Sequence, residues 1–154
     1  MKRRCVWLPG ISFLLATIAA GGEPGVKAQL VGGTLPGIAA KSTVRLDYSS
    51  PEELVFHCAH SDFHVSYRKV NILEYGQNVS RRYAAAVLIS PMLLLSKTRK
   101  HFVTLGYEDA AGQQQVLVFR VDKGDIRSIL AGLEARTGRR VEYQDDEARK
   151  AGKG

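Results

Sequence analysis

Three histidines, His57, His60 and His64, lie within eight residues of one another. Apolar and polar residues alternate on both sides of them, which is typical of a hairpin. A four-residue turn would place His57 opposite His64, where Cβ atoms are about 4.5–5.5 Å apart and two imidazoles could share Zn²⁺ or Cu²⁺. His60 and Asp62 in the turn could complete the ligand set. Solvated surface histidines would give the same pattern, so the metal site is one of two alternatives.

The same register predicts a core on the other face of the hairpin. It requires Cys58 to face Phe63, and it groups apolar side chains at Leu54, Phe56, Cys58, Phe63, Val65 and Tyr67. Cys58 is therefore expected to be buried. The only other cysteine, Cys5, lies near the N-terminus. Removal of that segment would leave no intramolecular disulfide, although Cys58 could still link two copies of the chain.

A second candidate contact lies in an insertion at residues 77–100. Its centre, residues 84–95, is almost wholly apolar and is bracketed by cations. Such a segment can insert shallowly into a membrane, because the apolar part leaves water and the cations meet lipid phosphates. It is too short to span a bilayer. The candidate contact residues are Arg81, Arg82, Leu88, Ile89, Met92, Leu93, Leu94, Lys97, Arg99 and Lys100.

Packing against the protein itself is the alternative for residues 84–95. A four-residue turn in the hairpin 101–121 would pair residues on two faces: Leu105 with Val116 and Val103 with Val118 on one, Phe102 with Phe119 and Thr104 with Leu117 on the other. Both faces are then largely apolar, whereas a sheet with one solvated face alternates cleanly. One face belongs to the core, and the other needs a cover that residues 84–95 could supply.

The charge of the chain is mildly basic, with a formal value of +7. Cations cluster around the fifth and sixth predicted strands, at Arg68, Lys69, Arg81, Arg82, Lys97, Arg99 and Lys100. They could form an anion-binding patch or an ordinary charged rim. No aromatic residues are interleaved with them as in a nucleic-acid module, so no nucleic-acid partner is expected. A protein or an anionic membrane surface is the expected partner.

Residues 28–121 read as short strands separated by turn residues. The predicted strands cover residues 28–35, 43–48, 53–58, 63–67, 70–75, 101–108 and 113–121, and 141–143 could add a short extended piece. The period then changes, because apolar residues recur at helical spacing at Ile126, Ile129, Leu130 and Leu133. Asp122 is the expected N-cap of this helix and Gly138 its expected end.

The N-terminal residues 1–21 have the features of a signal peptide: Lys2, Arg3 and Arg4, an apolar run, and small residues at a cleavage region. We therefore expect export to the periplasm, the envelope or the medium. If the segment is not cleaved, it would anchor the protein in the inner membrane. Residues 22–27 are a predicted linker, residues 28–143 a domain, and residues 144–154 a flexible charged tail.

Seven short strands followed by one helix resemble the pleckstrin-homology-like (PH or GRAM type) fold. The segments at 71–76, 97–102 and 133–138 (NILEYG, KTRKHF and LEARTG) also resemble small exported bacterial proteins of unknown function. The resemblance implies a mainly β domain, with a bent seven-stranded sheet or barrel capped by an amphipathic helix. It also implies binding of lipids, peptides or proteins.

The sequence contains no nucleophile elbow, no phosphate-binding glycine loop and no HExxH pair. Its carboxylates lie at turns or near the C-terminus, and none is paired convincingly for acid–base chemistry. We therefore predict a non-catalytic exported binding or scaffold domain without a cofactor. It would contact a membrane or a protein through residues 77–100. The alternative is a metal-binding protein that uses the pair His57 and His64.

Overall fold

A computed structural model describes residues 25–34, 41–79 and 100–153. In sequence order these residues form β1 (Val26–Gly33), β2 (Thr43–Asp47), β3 (Glu53–His57), β4 (Asp62–Ser66), β5 (Val70–Gly76), β6 (His101–Glu108), β7 (Gln114–Val121), α1 (Ile126–Thr137), β8 (Glu142–Tyr143) and α2 (Asp146–Lys153). A 3₁₀ turn, Tyr67–Lys69, joins β4 to β5.

The strands form one open sheet in the order β4-β3-β2-β1-β7-β6-β5-β8. All neighbouring pairs are antiparallel except β5 and β8, which run parallel. The predicted mainly β fold with a C-terminal helix is therefore confirmed. The short extended piece near residue 141 is the eighth strand of the part of the sheet that the structure describes.

The core lies between the inner face of this sheet and α1. The four residues predicted from helical spacing, Ile126, Ile129, Leu130 and Leu133, are buried in it. The helix ends at Gly138, whose φ of 66° is the left-handed conformation that glycine adopts most easily. The predicted N-cap at Asp122 is wrong. The helix begins at Ile126 after Asp125, whose N–H donates to the carbonyl oxygen of Asp122 at 3.1 Å.

The hairpin of β6 and β7 differs by one residue from its predicted register. Phe119 faces Val103, so its predicted pairing with Phe102 is wrong. The turn is one residue longer than expected, because the carboxylate of Asp109 accepts the N–H of Gln113 at 2.9 Å and keeps that residue out of β7. Side-chain capping of a turn by aspartate is what shifts the register.

The outer face of the sheet carries a second apolar cluster, formed by Val31, Val79, Phe102, Val116 and Val118. The prediction that both faces of the β6–β7 hairpin are apolar is therefore confirmed, although different residues share each face. Val118 is fully buried. The predicted cover, residues 84–95, lies outside the described residues.

The C-terminal residues were predicted to be a flexible tail, and this is wrong for residues 146–153, which form α2. Ala148 is fully buried in the core. At Gly152 a Cβ atom would meet the rings of Tyr143 and Tyr75 at 2.7 and 3.3 Å, so only glycine permits this close approach. The predicted linker at 22–27 is also too long, because β1 already begins at Val26.

Candidate functional site

The histidine hairpin has a different register from the one predicted. His57 faces Asp62, and His64 faces Val55, so the predicted cross-strand pair of His57 and His64 is wrong. The physical reason is the turn, which holds residues 58–61 instead of 59–62. This register lets Phe56 face Phe63, with ring centroids 6.0 Å apart. Aromatic pairing across the strands outweighs the expected facing of Cys58 and Phe63.

Each strand histidine is paired with a carboxylate instead of with the other histidine. Nδ1 of His57 lies 3.0 Å from the carboxylate of Asp62, and Nδ1 of His64 lies 3.0 Å from that of Glu53. His60 is exposed in the turn. Within residues 25–34, 41–79 and 100–153, no three potential ligand side chains come close enough to hold a metal ion. The structure therefore lacks the direct pairing of His57 with His64 from which the metal site was predicted.

The predicted core face of this hairpin is confirmed. Leu54, Phe56, Val65 and Tyr67 are buried, and Cys58 and Phe63 are partly buried against them. The thiol of Cys58 is free and lies 3.7 Å from the carbonyl oxygen of Phe56. Burial raises the pKa of this thiol above its ordinary value and so disfavours the thiolate.

The predicted membrane or partner contact falls mostly outside the described residues. This applies to Arg81, Arg82, Leu88, Ile89, Met92, Leu93, Leu94, Lys97 and Arg99. Lys100, at the end of the insertion, is half-buried, and its N–H donates to the carbonyl oxygen of Gln77 at 3.3 Å. Among the described helices, none is long and apolar enough to cross a membrane.

A cavity of about 290 Å³ lies beside β4, at one end of the sheet. It separates β4 from the end of β6 and the turn that follows. Its lining residues are Glu53, Phe63, His64, Val65, Ser66, Lys69, Tyr107, Glu108, Asp109 and Ala110. We call it the β4 cavity.

The backbone of β4 presents hydrogen-bonding groups toward its free edge. In the described sheet β4 has one neighbour, β3. The N–H of Tyr67 donates to the carbonyl oxygen of Glu52 at 3.0 Å and thereby fixes which residues of β4 bond to β3. In an antiparallel pair, residues that bond to the neighbouring strand alternate with residues that do not. The backbone groups of Asp62, His64 and Ser66 therefore point away from β3. An edge of this kind can pair with another strand.

Tyr107 brings an unsatisfied polar group to the same place. It lines the β4 cavity and is 4% exposed. Its buried hydroxyl has no hydrogen-bond partner among the described residues. Burial, with a smaller effect of the Asp109 charge, raises the pKa of Tyr107 to about 12, so the phenol is neutral. Buried polar groups without partners are uncommon and cost free energy.

The rim of the β4 cavity is rich in carboxylates. Asp109 is held by its own turn, because its carboxylate accepts hydrogen bonds from the backbone of Ala111 and Gln113 and from the side chain of Gln115. These bonds, with the Gln113 backbone bond largest, lower the pKa of Asp109 and keep it ionised. The Lys69 ammonium donates to the Asp109 carbonyl oxygen at 3.0 Å and closes one side of the cavity.

The sequence did not point to this cavity. Tyr107 follows the alternation of Val103 and Leu105 and was expected only as a strand residue. His64 and Lys69 were noted for metal and anion binding, not as neighbours of Tyr107. A tyrosine among aliphatic core positions is a weak signal, because tyrosine hydroxyls usually find a partner in the core.

A smaller cavity of about 140 Å³ lies where β1, β2 and β7 meet. Its lining residues include two cations, Lys27 and Arg120, together with Thr43 and the carboxylate of Asp122. The carboxylate offsets part of the positive charge. This cavity therefore has less to attract an anion than its cations alone suggest.

Comparison with models of known protein families finds no match, and a search of curated proteins finds no significant match.

Proposed function

We propose that this chain is a non-catalytic binding domain that takes an extended segment of a protein partner at the free edge of β4. The observation that carries the proposal is the coincidence of three features at one edge. Outward backbone groups at Asp62, His64 and Ser66 lie beside a cavity of about 290 Å³ lined by Tyr107, whose hydroxyl has no hydrogen-bond partner among the described residues. Strand addition supplies affinity through the backbone, and pockets supply specificity for alternate side chains.

A pleckstrin-homology-like fold is part of the same proposal. It is supported by the strand order β4-β3-β2-β1-β7-β6-β5 and by the helix that follows β7 and packs on the inner face. The addition of β8 beside β5 departs from the seven strands that the resemblance implies. Binding of peptides or proteins is one of the functions that this fold supports, although fold alone does not assign function.

Export is also a proposal, and it rests on the signal-like composition of residues 1–21, which lie outside the described residues. Mass spectrometry of the protein recovered from cell fractions tests it. We expect a mature chain that begins near residue 22 in the exported fraction. A full-length chain found only in the cytosol would refute export and leave the binding proposal standing.

The binding test uses nuclear magnetic resonance titration of the mature protein with the neutral peptide acetyl-Thr-Val-Thr-Val-Thr-amide. We expect shifts concentrated at the amides of Asp62, His64 and Ser66 at millimolar peptide. The same peptide with N-methylated central amides cannot pair as a strand and should give no such shifts.

The variant Ser66→Pro sharpens this test. Ser66 already has φ of −65°, the value that proline requires, so the substitution removes an outward N–H with little strain. We expect it to abolish binding while the fold remains intact. Ser66→Ala keeps the N–H and should bind like the wild type. Equal binding by Ser66→Pro would overturn the proposal.

Membrane contact through residues 77–100 is the competing outcome. Cosedimentation with anionic and neutral vesicles at low and physiological salt tests it on the same preparation. Binding to anionic vesicles that is lost in the double variant Leu93→Asp, Leu94→Asp, without any effect of Ser66→Pro on peptide binding, would favour a membrane function over strand addition.

A further inference from the structure

Resting on the proposed strand addition, we infer that the β4 cavity accepts a basic side chain, arginine or lysine, from the bound segment. The residues that line the cavity include more acidic than basic side chains. Three acidic residues, Glu53, Glu108 and Asp109, line the cavity together with one lysine, Lys69. This local excess of negative charge occurs in a chain whose formal net charge is +7. Complementary charge favours a cationic group at this position.

The β4 cavity also has an apolar lining. The rings of Phe63 and Tyr107 lie with their centroids 6.0 Å apart and their planes tilted by 55°. Aromatic faces attract a cation and also pack against the methylene groups of a long basic side chain. A short acidic side chain would meet neither the aromatic surface nor a favourable charge.

Glu108 is the acidic residue of the cavity whose carboxylate is available to bind a basic ligand. Glu53 is paired with His64 at 3.0 Å, and the Asp109 carboxylate is held by its own turn. Glu108 is exposed and has no ion-pair partner among the described residues. Glu108 is therefore the rim residue that we assign to the basic head group of the ligand.

The experiment compares three peptides of the form acetyl-Thr-Val-Xaa-Val-Thr-amide, in which Xaa is arginine, citrulline or glutamate. Citrulline has nearly the shape of arginine without its charge. We expect the arginine peptide to bind about fivefold more tightly than the citrulline peptide, since exposed charge pairs and cation–π contacts each contribute modestly. The glutamate peptide should bind most weakly.

The variant Glu108→Gln should bring the arginine-to-citrulline ratio close to one without weakening the citrulline peptide. Glu142→Gln, an exposed glutamate on the other edge of the sheet, is the matched control and should keep the wild-type ratio. Equal affinities for the arginine and citrulline peptides, or tighter binding of glutamate, would overturn this inference but not strand addition. Binding of none of the peptides, neutral ones included, would instead overturn the proposed function.

Discussion

The two ends of the sheet are finished in different ways. Beside β5 the chain adds its own β8, with Glu142 and Tyr143 in parallel register, and the N–H of Gln144 donates to the carbonyl oxygen of Tyr75 at 3.1 Å. The helix α2 then packs over this edge. At the other end β4 has no second neighbour in the described sheet, and a cavity lies next to it.

The buried polar groups at the two edges also differ in whether they have hydrogen-bond partners. At the closed edge the hydroxyl of Tyr75 bonds to Nδ1 of His101 at 2.5 Å, and the buried carboxylate of Glu74 accepts from Gln144 at 2.9 Å. At the open edge the hydroxyl of Tyr107 has no partner among the described residues. Exposed strand edges invite unwanted pairing, and proteins usually protect them. Among the described residues, the chain covers the β5 edge with its own β8 and leaves the β4 edge without a second neighbour, which supports the proposed strand addition at β4.

The largest effect is expected from a substitution that disrupts the packing of α2 over the edge of β5 and β8. Ala148→Asp would put a carboxylate into a fully buried position of α2. Because an unpaired buried charge is costly, we expect a loss of about 2–4 kcal/mol in the free energy of unfolding, or detachment of α2 where that costs less. Urea denaturation measures the loss. Arg149→Asp, an exposed position of the same helix, should cost far less. Equal stability of the two variants would mean that α2 does not protect this edge.

A matched pair of tyrosine variants compares the edges directly. Tyr75→Phe removes a hydroxyl that has a partner and should destabilise the protein by about 1 kcal/mol. Tyr107→Phe removes one that has none, and should leave the stability unchanged or slightly higher. Thermal denaturation of both variants in one buffer gives the difference. If Tyr107→Phe is the more destabilising variant, the Tyr107 hydroxyl has a hydrogen-bond partner in the free protein. The hydroxyl then does not support a binding site at the β4 cavity.

The parts of the fold that repeat a simple period were predictable. Ile126, Ile129, Leu130 and Leu133 identify α1 because one side of a helix must be apolar to pack on the sheet. Strand alternation identified Leu54, Phe56 and Val65 as core. Register was not predictable, because single side chains decide it. The Asp109 carboxylate lengthens one turn, and the pairing of Phe56 with Phe63 shifts the other turn by one residue, from 59–62 to 58–61.

Neither edge of the sheet could be predicted from the sequence, and the reasons differ between the two edges. The residues of α2 are mostly charged, and only the spacing of Ala148, Ala151 and Gly152 marks a packing face. Small residues bury little apolar area, so they give a weak signal. The β4 cavity depends on the approach of Phe63 to Tyr107, which are far apart in sequence. Contacts between distant strands follow from the curvature of the whole sheet and from no local pattern.

The smallest expected effect is a pH dependence that arises from His101, near the closed edge. Burial, with a smaller contribution from Lys123, lowers the pKa of His101 below its ordinary value of 6.5. In the unfolded chain this histidine takes up a proton as the pH falls through about 6.5, whereas in the folded chain it resists until a lower pH. The unfolded state therefore binds more protons in that window, and stability falls as the pH decreases from 7 toward 5.

His101→Gln should reduce this slope, because glutamine does not titrate. Urea midpoints at pH 7.0 and 5.5 for both proteins measure it. His60→Gln, at an exposed turn next to the open edge, should keep the wild-type difference between the two pH values. If His60→Gln flattened the profile and His101→Gln did not, the proton-sensitive group would lie at the open edge. The closed edge would then not be the source of the pH dependence.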